Sequence, residues 1–417
     1  MSQHVSNGTS KLGYIVKKFG GTSVGSIERI ERVAERIQKA IDLGQKPIVT
    51  VSAMSGETNR LVELAKSIDP TYRGRAYDML LASGEQVSIS LLAIALEKRH
   101  IEARPLLAHQ IGIFTDSIFS KARIKKVNGQ ALVELGEKGI VPIVAGFQGI
   151  DDDDQITTLG RGGSDTTAVA LAAALRIEGI ECGCEIYTDV PAIFTADPRL
   201  VPKAREIARL SFEEMMEMAS LGSKVLQVRS VELAAKYLVP IHLRSSLEER
   251  EGTWVIKEES DMMEQAVVSA VTHDRDTVVF KLFPVPYGPG FLAKLFGDLA
   301  ENEVVVDIIT QSQNEEGQRL AFSVSQEDRV FTEKYFAEKL EKNIKVEQVN
   351  NVAKVSVVGV GMRNHPGVAA RFFRVLDEQN IPVHLVTTSE IKISAVIDNV
   401  HLEKAAQGIH HEFDLDG

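Results

Sequence analysis

The sequence has few cysteines and no basic cluster, and both absences exclude classes of protein. Its two cysteines, Cys182 and Cys184, stand one residue apart, and such a pair lacks the further ligands of a structural zinc site. Acidic residues outnumber basic ones, 58 to 47, which gives a formal net charge of −11. A negatively charged chain without a Lys/Arg cluster argues against nucleic acid as the main partner. We therefore interpret the cysteines as reduced thiols and expect a cytoplasmic protein.

Long apolar runs are also missing, which bears on membrane insertion. The longest ones, around Val87–Leu96 and Ala168–Leu175, are shorter than the roughly 20 residues that cross a bilayer. The first ten residues are polar and lack the apolar core of a signal peptide, so we expect a frayed segment over residues 1–12. With 417 residues, 44% hydrophobic and 25% charged, the sequence is typical of a globular protein of two or three domains that does not bind membranes.

The segment Thr157–Thr167 (TTLGRGGSDTT) has the composition of an anion-binding loop. Gly162 and Gly163 let backbone N–H groups come close to a ligand, and a helix that begins near Ser164 would direct its N-terminus at an anion. Arg161 supplies a planar guanidinium that suits a carboxylate or a phosphate. An ordinary turn followed by a helix cap has the same residues, so this segment alone leaves both interpretations open.

A second loop of this kind follows the first predicted strand, Tyr14–Lys17. Lys18 stands at the strand end, directly before Phe19, Gly20 and Gly21, and a helical pattern comes next. A solvated surface lysine is the commonest alternative, and the spacing differs from G-x-x-x-x-G-K-[ST], which excludes an ordinary P-loop. Together the two loops indicate a nucleotide and an acidic substrate.

Strand patterns alternate with helix patterns through the first part of the chain. This alternation predicts an α/β fold, in which a mostly parallel sheet is covered by helices on both faces. Ligands of such sheets bind beyond the carboxyl ends of the strands, where Lys18, Ser52 and Asp189 would meet. The further predicted strands are Pro47–Ser52, Ala103–Leu107, Val141–Ala145, Glu185–Thr188 and Val239–Leu243. The predicted helices are Ser26–Ile41, Asn59–Ser67, Arg75–Lys98, Ile124–Lys138, Ser164–Ile177 and Val231–Leu238.

An internal repeat begins after about Val267, at a shift of 77 residues. Pro289–Gly290 matches Pro366–Gly367, and the apolar strand Thr277–Leu282 overlays Lys354–Gly359. Each copy has the pattern of a strand, a Pro-Gly turn, an amphipathic helix, two strands and a helix. The repeat therefore predicts two α+β units of roughly 70 residues each.

Parts of the chain resemble the aspartokinase branch of the amino-acid kinase family, namely Lys18–Ser23, Leu159–Thr167 and Ile186–Arg199. The repeat is similar to paired ACT domains, and Thr387–Ser394 resembles the last ACT unit of that family. The resemblance covers nearly the whole chain and implies an amino-acid kinase-like αβα sandwich followed by two βαββαβ domains. The implied limits are residues 13–262 for the kinase domain, 267–345 for the first ACT-like domain and 350–417 for the second. No homoserine dehydrogenase domain is expected, as in the monofunctional type.

The resemblance implies transfer of the γ-phosphoryl group of ATP to the β-carboxylate of L-aspartate. A carboxylate is already deprotonated, so the obstacle is the approach of an anion to a polyanion, which positioning and cations must overcome. Lys18, the N–H groups of Gly20 and Gly21, and Mg²⁺ would neutralise the transferring group, and Asp165 would orient Lys18 or the substrate. No protein ligand of a metal is assigned. The acidic run Asp151–Asp154 cannot turn every carboxylate to one ion, so we predict a solvated loop there.

The resemblance also divides the binding residues between the two substrates. Arg161 would hold the α-carboxylate of aspartate and Glu85 its ammonium group. Without the resemblance, Glu85 would be interpreted as a solvated carboxylate at a helix start. The remaining aspartate contacts would be Thr58, Gly162, Gly163 and Ser164. The nucleotide contacts would be Lys18, Phe19, Gly20, Gly21, Thr188, Asp189, Phe194, Thr195, Ala196, Asp197, Pro198, Arg199 and Lys224, with Arg199 suited to phosphate.

The ACT-like repeat implies feedback by an amino acid, but its first copy departs from the family. Related sequences usually carry Asp-Lys-Pro-Gly at the first strand-to-helix turn, where this chain has Tyr287–Gly290 and lacks the acid. The second copy, Asn364–Gly367, resembles the family closely. We expect inhibition by lysine, threonine or both, and a homodimer or larger homo-oligomer, because small two-layer units leave a sheet edge or face to cover. A repeat that only builds the dimer is the alternative.

Two other functions stay open. A kinase of the same fold could act on glutamate, acetylglutamate or a nucleoside monophosphate, and an inactive amino-acid sensor could retain the fold. The paired ACT-like units and the combination of Arg161 with Glu85 weigh against the first. The joint presence of Lys18, Arg161, Glu85 and Asp165 weighs against the second.

Overall fold

The computed structural model describes residues 13–223, 225–258, 267–315 and 317–417, and it divides into two compact units. The first unit comprises residues 13–193, 206–219 and 225–258, and the second comprises residues 194–205, 220–223 and the described residues from 267 to 417. Two short segments of the expected kinase domain thus pack with the C-terminal part of the chain. The expected domain limits stay predictions, and the predicted frayed segment 1–12 lies outside the described residues.

An eight-stranded sheet forms the centre of the first unit as described, in the order β10-β12-β11-β9-β1-β2-β6-β3. Its strands run parallel except at the β11–β12 pair, which confirms the predicted mostly parallel α/β fold. A smaller sheet has the order β5-β4-β7-β8. The strands are β1 (Tyr14–Phe19), β2 (Lys46–Val51), β3 (Ala103–Leu106), β4 (Ile113–Thr115), β5 (Ile124–Val127), β6 (Val141–Ala145), β7 (Gln148–Ile150), β8 (Ile156–Thr158), β9 (Cys182–Thr188), β10 (Arg209–Ser211), β11 (Ile241–Ser245) and β12 (Thr253–Ile256).

Helices of the first unit pack in two groups, α1 with α3, and α6 with α5 and α8. All of β1 is buried, as expected for a strand that is covered on both faces. Phe19 and Val49 belong to the apolar core formed with α1 and α3. The helices are α1 (Ile27–Asp42), α2 (Glu57–Ile68), α3 (Arg75–Glu97), α4 (Ala108–Ile111), α5 (Gly129–Glu137), α6 (Gly163–Ile177), α7 (Phe212–Ser220) and α8 (Val228–Tyr237).

The predicted helix Ile124–Lys138 is wrong at its start. Residues Ile124–Val127 form β5, which pairs with β4, and Asn128 then caps α5 by accepting a hydrogen bond from the backbone N–H of Ala131. The four residues of β5 (IKKV) show no alternation, and the helical residues that follow them extended the predicted helix over the strand. The smaller sheet was not predicted, since its strands are only three or four residues long.

Among the described helices, α3 is long and apolar enough, by length and composition, to span a membrane. The sequence analysis therefore underestimated the length of its apolar segment. More than half of its most apolar window, 56%, is buried inside the protein. It also buries two carboxylates, Asp78 and Glu85. These features are those of the core helix of a globular domain.

The second unit contains a six-stranded antiparallel sheet, in the order β14-β15-β13-β16-β18-β17. The two copies of the repeat follow the predicted element order. The register differs slightly, because α9 begins at Pro289 whereas α11 begins at Val368, two residues later than the shift of 77 implies. The elements are β13 (Ala270–Val285), α9 (Pro289–Glu301), β14 (Val306–Asn314), β15 (Gly317–Val324), α10 (Arg329–Lys339), β16 (Lys345–Val358), α11 (Val368–Glu378), β17 (Val383–Thr388), β18 (Lys392–Asp398) and α12 (Leu402–Glu412).

Strands β13 and β16 pair antiparallel along their lengths and carry both cores of the second unit. The first core contains Phe280 and Phe322 and lies against α9 and α10. The other core contains Val271 from the start of β13 together with Phe372 of α11. The start of β13 thus packs with the second copy and its end with the first, so the two copies share strands and are not separate domains in sequence.

Candidate active site

Lys18 and Asp165 form a buried ion pair at the carboxyl end of the central strand. The Lys18 Nζ lies 2.6 Å from Asp165 Oδ1, and both side chains are about nine-tenths buried. Lys18 is the penultimate residue of β1, and Asp165 lies in the first turn of α6, where the helix dipole favours an acid. The structure therefore brings together the two residues predicted as catalytic.

Gly20 and Gly21, in the loop after β1, have structural roles that the sequence did not reveal. Gly20 donates its backbone N–H to the carbonyl of Tyr187 at 3.2 Å, so the prediction that this N–H binds phosphate is wrong. A Cβ on Gly21 would lie 2.7 Å from the carbonyl oxygen of Ala53, so only glycine allows the two loops to meet. Phe19 stacks on Tyr187, with the ring centroids 4.7 Å apart, and belongs to the opposite face of the sheet from Lys18.

Glu85 is buried in the middle of α3, which rules out the solvated helix start considered from sequence. Only 2% of the residue is exposed, and its Oε1 accepts a hydrogen bond from the backbone N–H of Ala53 at 3.0 Å. The other oxygen, Oε2, has no hydrogen-bond partner among the described residues. Burial raises the pKa of this carboxyl to about 7. Such a group can accept a hydrogen bond from a bound cation such as an ammonium group.

Two side chains that the sequence analysis missed fix the start of the glycine-rich loop. Asp78, on the same helix as Glu85, accepts the backbone N–H of Thr158 at 2.6 Å and that of Ser120 at 2.9 Å. Arg229 of α8 donates to the carbonyl of Leu159 at 2.7 Å. The start of the loop is thus held by one side chain from α3 and one from α8, before Arg161 is reached. A seven-residue spacing from Glu85 was the one sequence signal for Asp78.

The residues that are predicted to bind aspartate differ in their burial. Arg161 is exposed in the turn before α6, and within the described part of the chain it forms no ion pair. Ser164 is buried in the first turn of α6, next to Gly146, and Thr58 is half-buried in the first turn of α2. Gly162 has φ of 64° and would clash with Gln227 if it carried a Cβ, so it is required by the turn itself. The remaining predicted contact, Gly163, is buried.

The predicted nucleotide residues are divided between the two units. Thr188 ends β9 and its carbonyl accepts the backbone N–H of Ser246, while Asp189 is exposed beside it. The stretch from Phe194 to Arg199 belongs to the second unit. Lys224 lies outside the described residues.

Arg199 is largely exposed, and its guanidinium forms two-point contacts with the carboxylate of Asp197, with Nη2 2.7 Å from Oδ2. The hydrogen bonds from Arg199 lower the pKa of Asp197. In this arrangement Arg199 is partnered by a carboxylate, and it would have to exchange that partner to bind phosphate.

Another buried ion pair lies on the far side of β1. Lys17 contacts Glu185 of the neighbouring strand β9, and Tyr187 donates its hydroxyl to the same carboxylate at 2.8 Å. Burial alone would raise the pKa of Glu185, but Lys17 and Arg244 outweigh it and lower the pKa. This pair joins two central strands and was not predicted.

The acidic run is structured rather than fully solvated. Asp151 is buried and accepts the backbone N–H groups of Asp153 and Gln155, whereas Asp152 forms an ion pair with Lys125 at 2.8 Å. The prediction of a solvated loop is therefore wrong for Asp151. Across the residues that the structure describes, no group of three or more His, Cys, Asp or Glu side chains is placed to hold a metal ion.

Comparisons with known proteins identify the family of this chain. The family model described as "Amino acid kinase family" matches residues 13–245, and an ACT domain model matches residues 355–413. An aspartate kinase of Stutzerimonas stutzeri (strain A1501) is 46% identical over 413 residues, which cover 97% of this chain and 98% of that protein. The structure of E. coli aspartokinase III in complex with aspartate and ADP has a TM-score of 0.77 and 26% identity, covering 96% of this chain and 99% of that chain.

The same E. coli enzyme in complex with lysine and aspartate, in the T-state, has a TM-score of 0.75 at 26% identity, covering 96% and 99% of the two chains. The likeness therefore extends over both units and is not confined to one motif. A match of this length and identity, together with the Lys18–Asp165 ion pair and the internal repeat, establishes that the chain belongs to the amino acid kinase family and, within it, to the aspartokinases.

Proposed function

We propose that this protein is an aspartate kinase, which transfers the γ-phosphoryl group of ATP to the β-carboxylate of L-aspartate and forms 4-phospho-L-aspartate. This reaction opens the biosynthesis of lysine, threonine and methionine. The observation that carries the proposal is the buried Lys18–Asp165 pair at the carboxyl edge of the parallel sheet, where Asp165 directly follows the glycine-rich loop in sequence. The related enzyme that binds aspartate and ADP supports it.

In this mechanism the protein positions two anions and neutralises their repulsion. The β-carboxylate of free aspartate has a pKa of about 3.9, so it is a nucleophile at neutral pH without a general base. Lys18 binds the oxygens of the transferring phosphoryl group and stabilises the charge of the transition state. Asp165 holds the Lys18 ammonium group in place between turnovers.

Recognition of aspartate uses charges of both signs. Glu85 offers Oε2 to the α-ammonium group, and binding of that cation favours the ionised form of the carboxyl. Arg161 binds the α-carboxylate through its guanidinium fork. Thr58, Ser164, Gly162 and Gly163 complete the aspartate contacts. Thr188, Asp189, Lys224 and the stretch from Phe194 to Arg199 bind the nucleotide.

The residues present fit Mg²⁺ that arrives with the nucleotide. Mg²⁺ binds through one or two carboxylates together with substrate phosphates, and the described residues offer single acids rather than a dedicated cluster. Bound in this way, Mg²⁺ supplies charge neutralisation to the phosphates of ATP.

The second unit regulates the enzyme and joins copies of it. The related E. coli enzyme binds lysine, which supports lysine, threonine or both as effectors at the ACT-like units. The outer strands of the six-stranded sheet, β14 and β17, carry the exposed apolar residues Ile309, Val383 and Val386, and the exposed Val305 directly precedes β14. Exposed apolar side chains at sheet edges are covered in a homodimer or larger homo-oligomer. The enzyme works in the cytoplasm.

A coupled assay of ADP formation with purified protein, ATP and Mg²⁺ tests the function, and a hydroxamate assay identifies the acyl phosphate that a carboxylate acceptor forms. The acceptors are aspartate, glutamate, acetylglutamate and a nucleoside monophosphate, each at the same concentration. We expect product with aspartate alone. Turnover of another acceptor in preference to aspartate would assign the fold to a different kinase, and no turnover with any acceptor would favour an amino-acid sensor.

A further inference from the structure

A continuous set of hydrogen bonds links the ACT-like repeat to the segment that carries the nucleotide motif. Thr195 Oγ1 lies 2.8 Å from His410 Nε2, and His410 Nδ1 lies 3.0 Å from Asp416 Oδ1. Thr195 is 2% exposed and His410 is fully buried. All three residues belong to the second unit.

The order hydroxyl, imidazole, carboxylate is that of a hydrolase triad, but burial excludes this function because no substrate could reach Thr195. Burial lowers the pKa of His410, so the ring is neutral near pH 7. Its Nδ1–H donates to the carboxylate of Asp416, which leaves Nε2 to accept the hydroxyl proton of Thr195. The oxygen of Thr195 in turn accepts the backbone N–H of Arg205 at 3.0 Å. The Thr195 hydroxyl, both ring nitrogens of His410 and Oδ1 of Asp416 therefore all have hydrogen-bond partners.

The backbone around these residues is tied to the same elements. The backbone of Ala204 forms a β-bridge with Asp416, and Gln407 of α12 donates to the carbonyl of Leu200 at 2.8 Å. The carbonyl of Thr195 accepts the backbone N–H of Val271 at 2.7 Å. Leu200 also lies in the core of the second copy of the repeat. The segment 194–205 is thus held by residues far from it in sequence, and the chain leaves the first unit to reach it.

We propose that His410 and Asp416 are positioning residues for ATP binding, which act through the Thr195 hydroxyl to hold the segment from Phe194 to Arg199. The inference rests on the proposed function, in which this segment binds the nucleotide. His410 and Asp416 touch no substrate. They fix the conformation of a segment that would otherwise lose entropy on binding ATP.

Isosteric variants separate this role from a purely structural one. Thr195→Val removes the hydroxyl and Asp416→Asn removes the charge that sets the His410 tautomer, while Thr195→Ser keeps the hydroxyl. The pair His384 and Asp398, with Nε2 2.8 Å from Oδ1, is a control in the same unit, because it joins the neighbouring strands β17 and β18 of the six-stranded sheet. His384→Gln serves as that control. The measurements are KM for ATP, KM for aspartate, the Kd of ADP with Mg²⁺ by calorimetry, and Tm.

We expect Thr195→Val and Asp416→Asn to raise KM for ATP and the Kd of ADP about five- to tenfold, as loss of one buried hydrogen bond implies. KM for aspartate should stay within about twofold of the wild-type value, and Thr195→Ser should restore nucleotide affinity. Unchanged nucleotide affinity with a lowered Tm would overturn the proposal, as would an equal effect of His384→Gln. If Thr195→Val does not fold, the comparison of Asp416→Asn with His384→Gln decides the matter. A wild-type protein that binds ADP but does not phosphorylate aspartate would refute the proposed function alone, because the ADP measurement still tests the positioning role.

Discussion

Lys17 and Lys18 are neighbours on β1, and their ammonium groups pair with acids on opposite faces of the eight-stranded sheet. Lys17 contacts Glu185 of the adjacent strand, whereas Lys18 contacts Asp165 of the helix that covers the other face. The alternation of side chains along a strand explains the separation. Two buried lysines with different partners provide a matched pair for mutation.

Lys18→Met should reduce kcat of the folded protein by a factor of about 100 to 1,000, and it should also lower stability, because it leaves the buried Asp165 without its cation. By analogy with the loss of one oxyanion donor, removal of this group takes away roughly 3–4 kcal/mol of transition-state stabilisation. Lys17→Met should also lower stability, by about 3–5 kcal/mol, since it leaves the buried Glu185 without its nearest cation, but it should leave kcat of the folded protein nearly unchanged. Steady-state kinetics and thermal unfolding of both variants check this contrast. Near-native turnover of soluble Lys18→Met protein would remove the lysine from the mechanism.

Glu85 should impose a pH dependence on aspartate capture. Burial raises its pKa to about 7, and the ammonium group of aspartate requires the ionised form. The ratio kcat/KM for aspartate should therefore be low in acid, rise through an apparent pKa near 7 and level off above it. Glu85→Gln keeps the acceptor for the N–H of Ala53 but has no charge. Its kcat/KM should be low throughout and should lack this limb. A wild-type limb that persists in the variant would show that another group titrates.

Arg161→Ala should raise KM for aspartate about 10- to 100-fold while leaving KM for ATP nearly unchanged. The side chain is exposed and makes no described ion pair, so Tm should stay within about 2 °C of the wild-type value. Arg161→Lys is the conservative control, because it keeps the charge and loses the planar fork. A larger effect on ATP than on aspartate would put this residue in the nucleotide half of the site.

Lysine, threonine or both together should inhibit the kinase. The rate is measured against each amino acid singly and in pairs, with methionine as a further effector candidate. The first turn of the repeat carries an exposed Tyr287 in place of an acid, so we expect the second copy, which keeps its family-like turn, to dominate. The absence of any change in rate, KM or Tm would mean that the repeat is purely architectural.

Light scattering of the purified enzyme should report a dimer or a larger assembly. Ile309 is 52% exposed on the edge strand β14, so Ile309→Lys should weaken association if this edge is covered in the oligomer. A monomer at micromolar wild-type concentration would contradict the expectation. A variant that remains fully assembled would place the interface elsewhere.

The position of Lys18 at the carboxyl end of a parallel strand followed from the sequence pattern. The pairing of Asp165 with Lys18 or the substrate came from the resemblance to the aspartokinases, and the structure places Asp165 against Lys18. Sequence reasoning did not find Asp78 and Arg229, since both act on backbone atoms of the loop, at Thr158 N and Leu159 O, and such contacts require no particular residue type in the loop. It also misjudged Gly20, whose N–H belongs to the sheet neighbour rather than to a ligand. The strand β5, which begins at Ile124, was missed because four residues are too few to show the alternating hydrophobic period of a strand.

The continuous ladder between β13 and β16 has a thermodynamic consequence for the repeat. Opening either copy would expose the strand residues on which the other depends, so the two copies should exchange their amide hydrogens and melt as one cooperative foldon. An effector bound to one copy would then raise the free energy of unfolding of both, by mass action. The shared strands can thus couple effector binding at one end of the sheet to stability at the other end, without a hinge between the two copies.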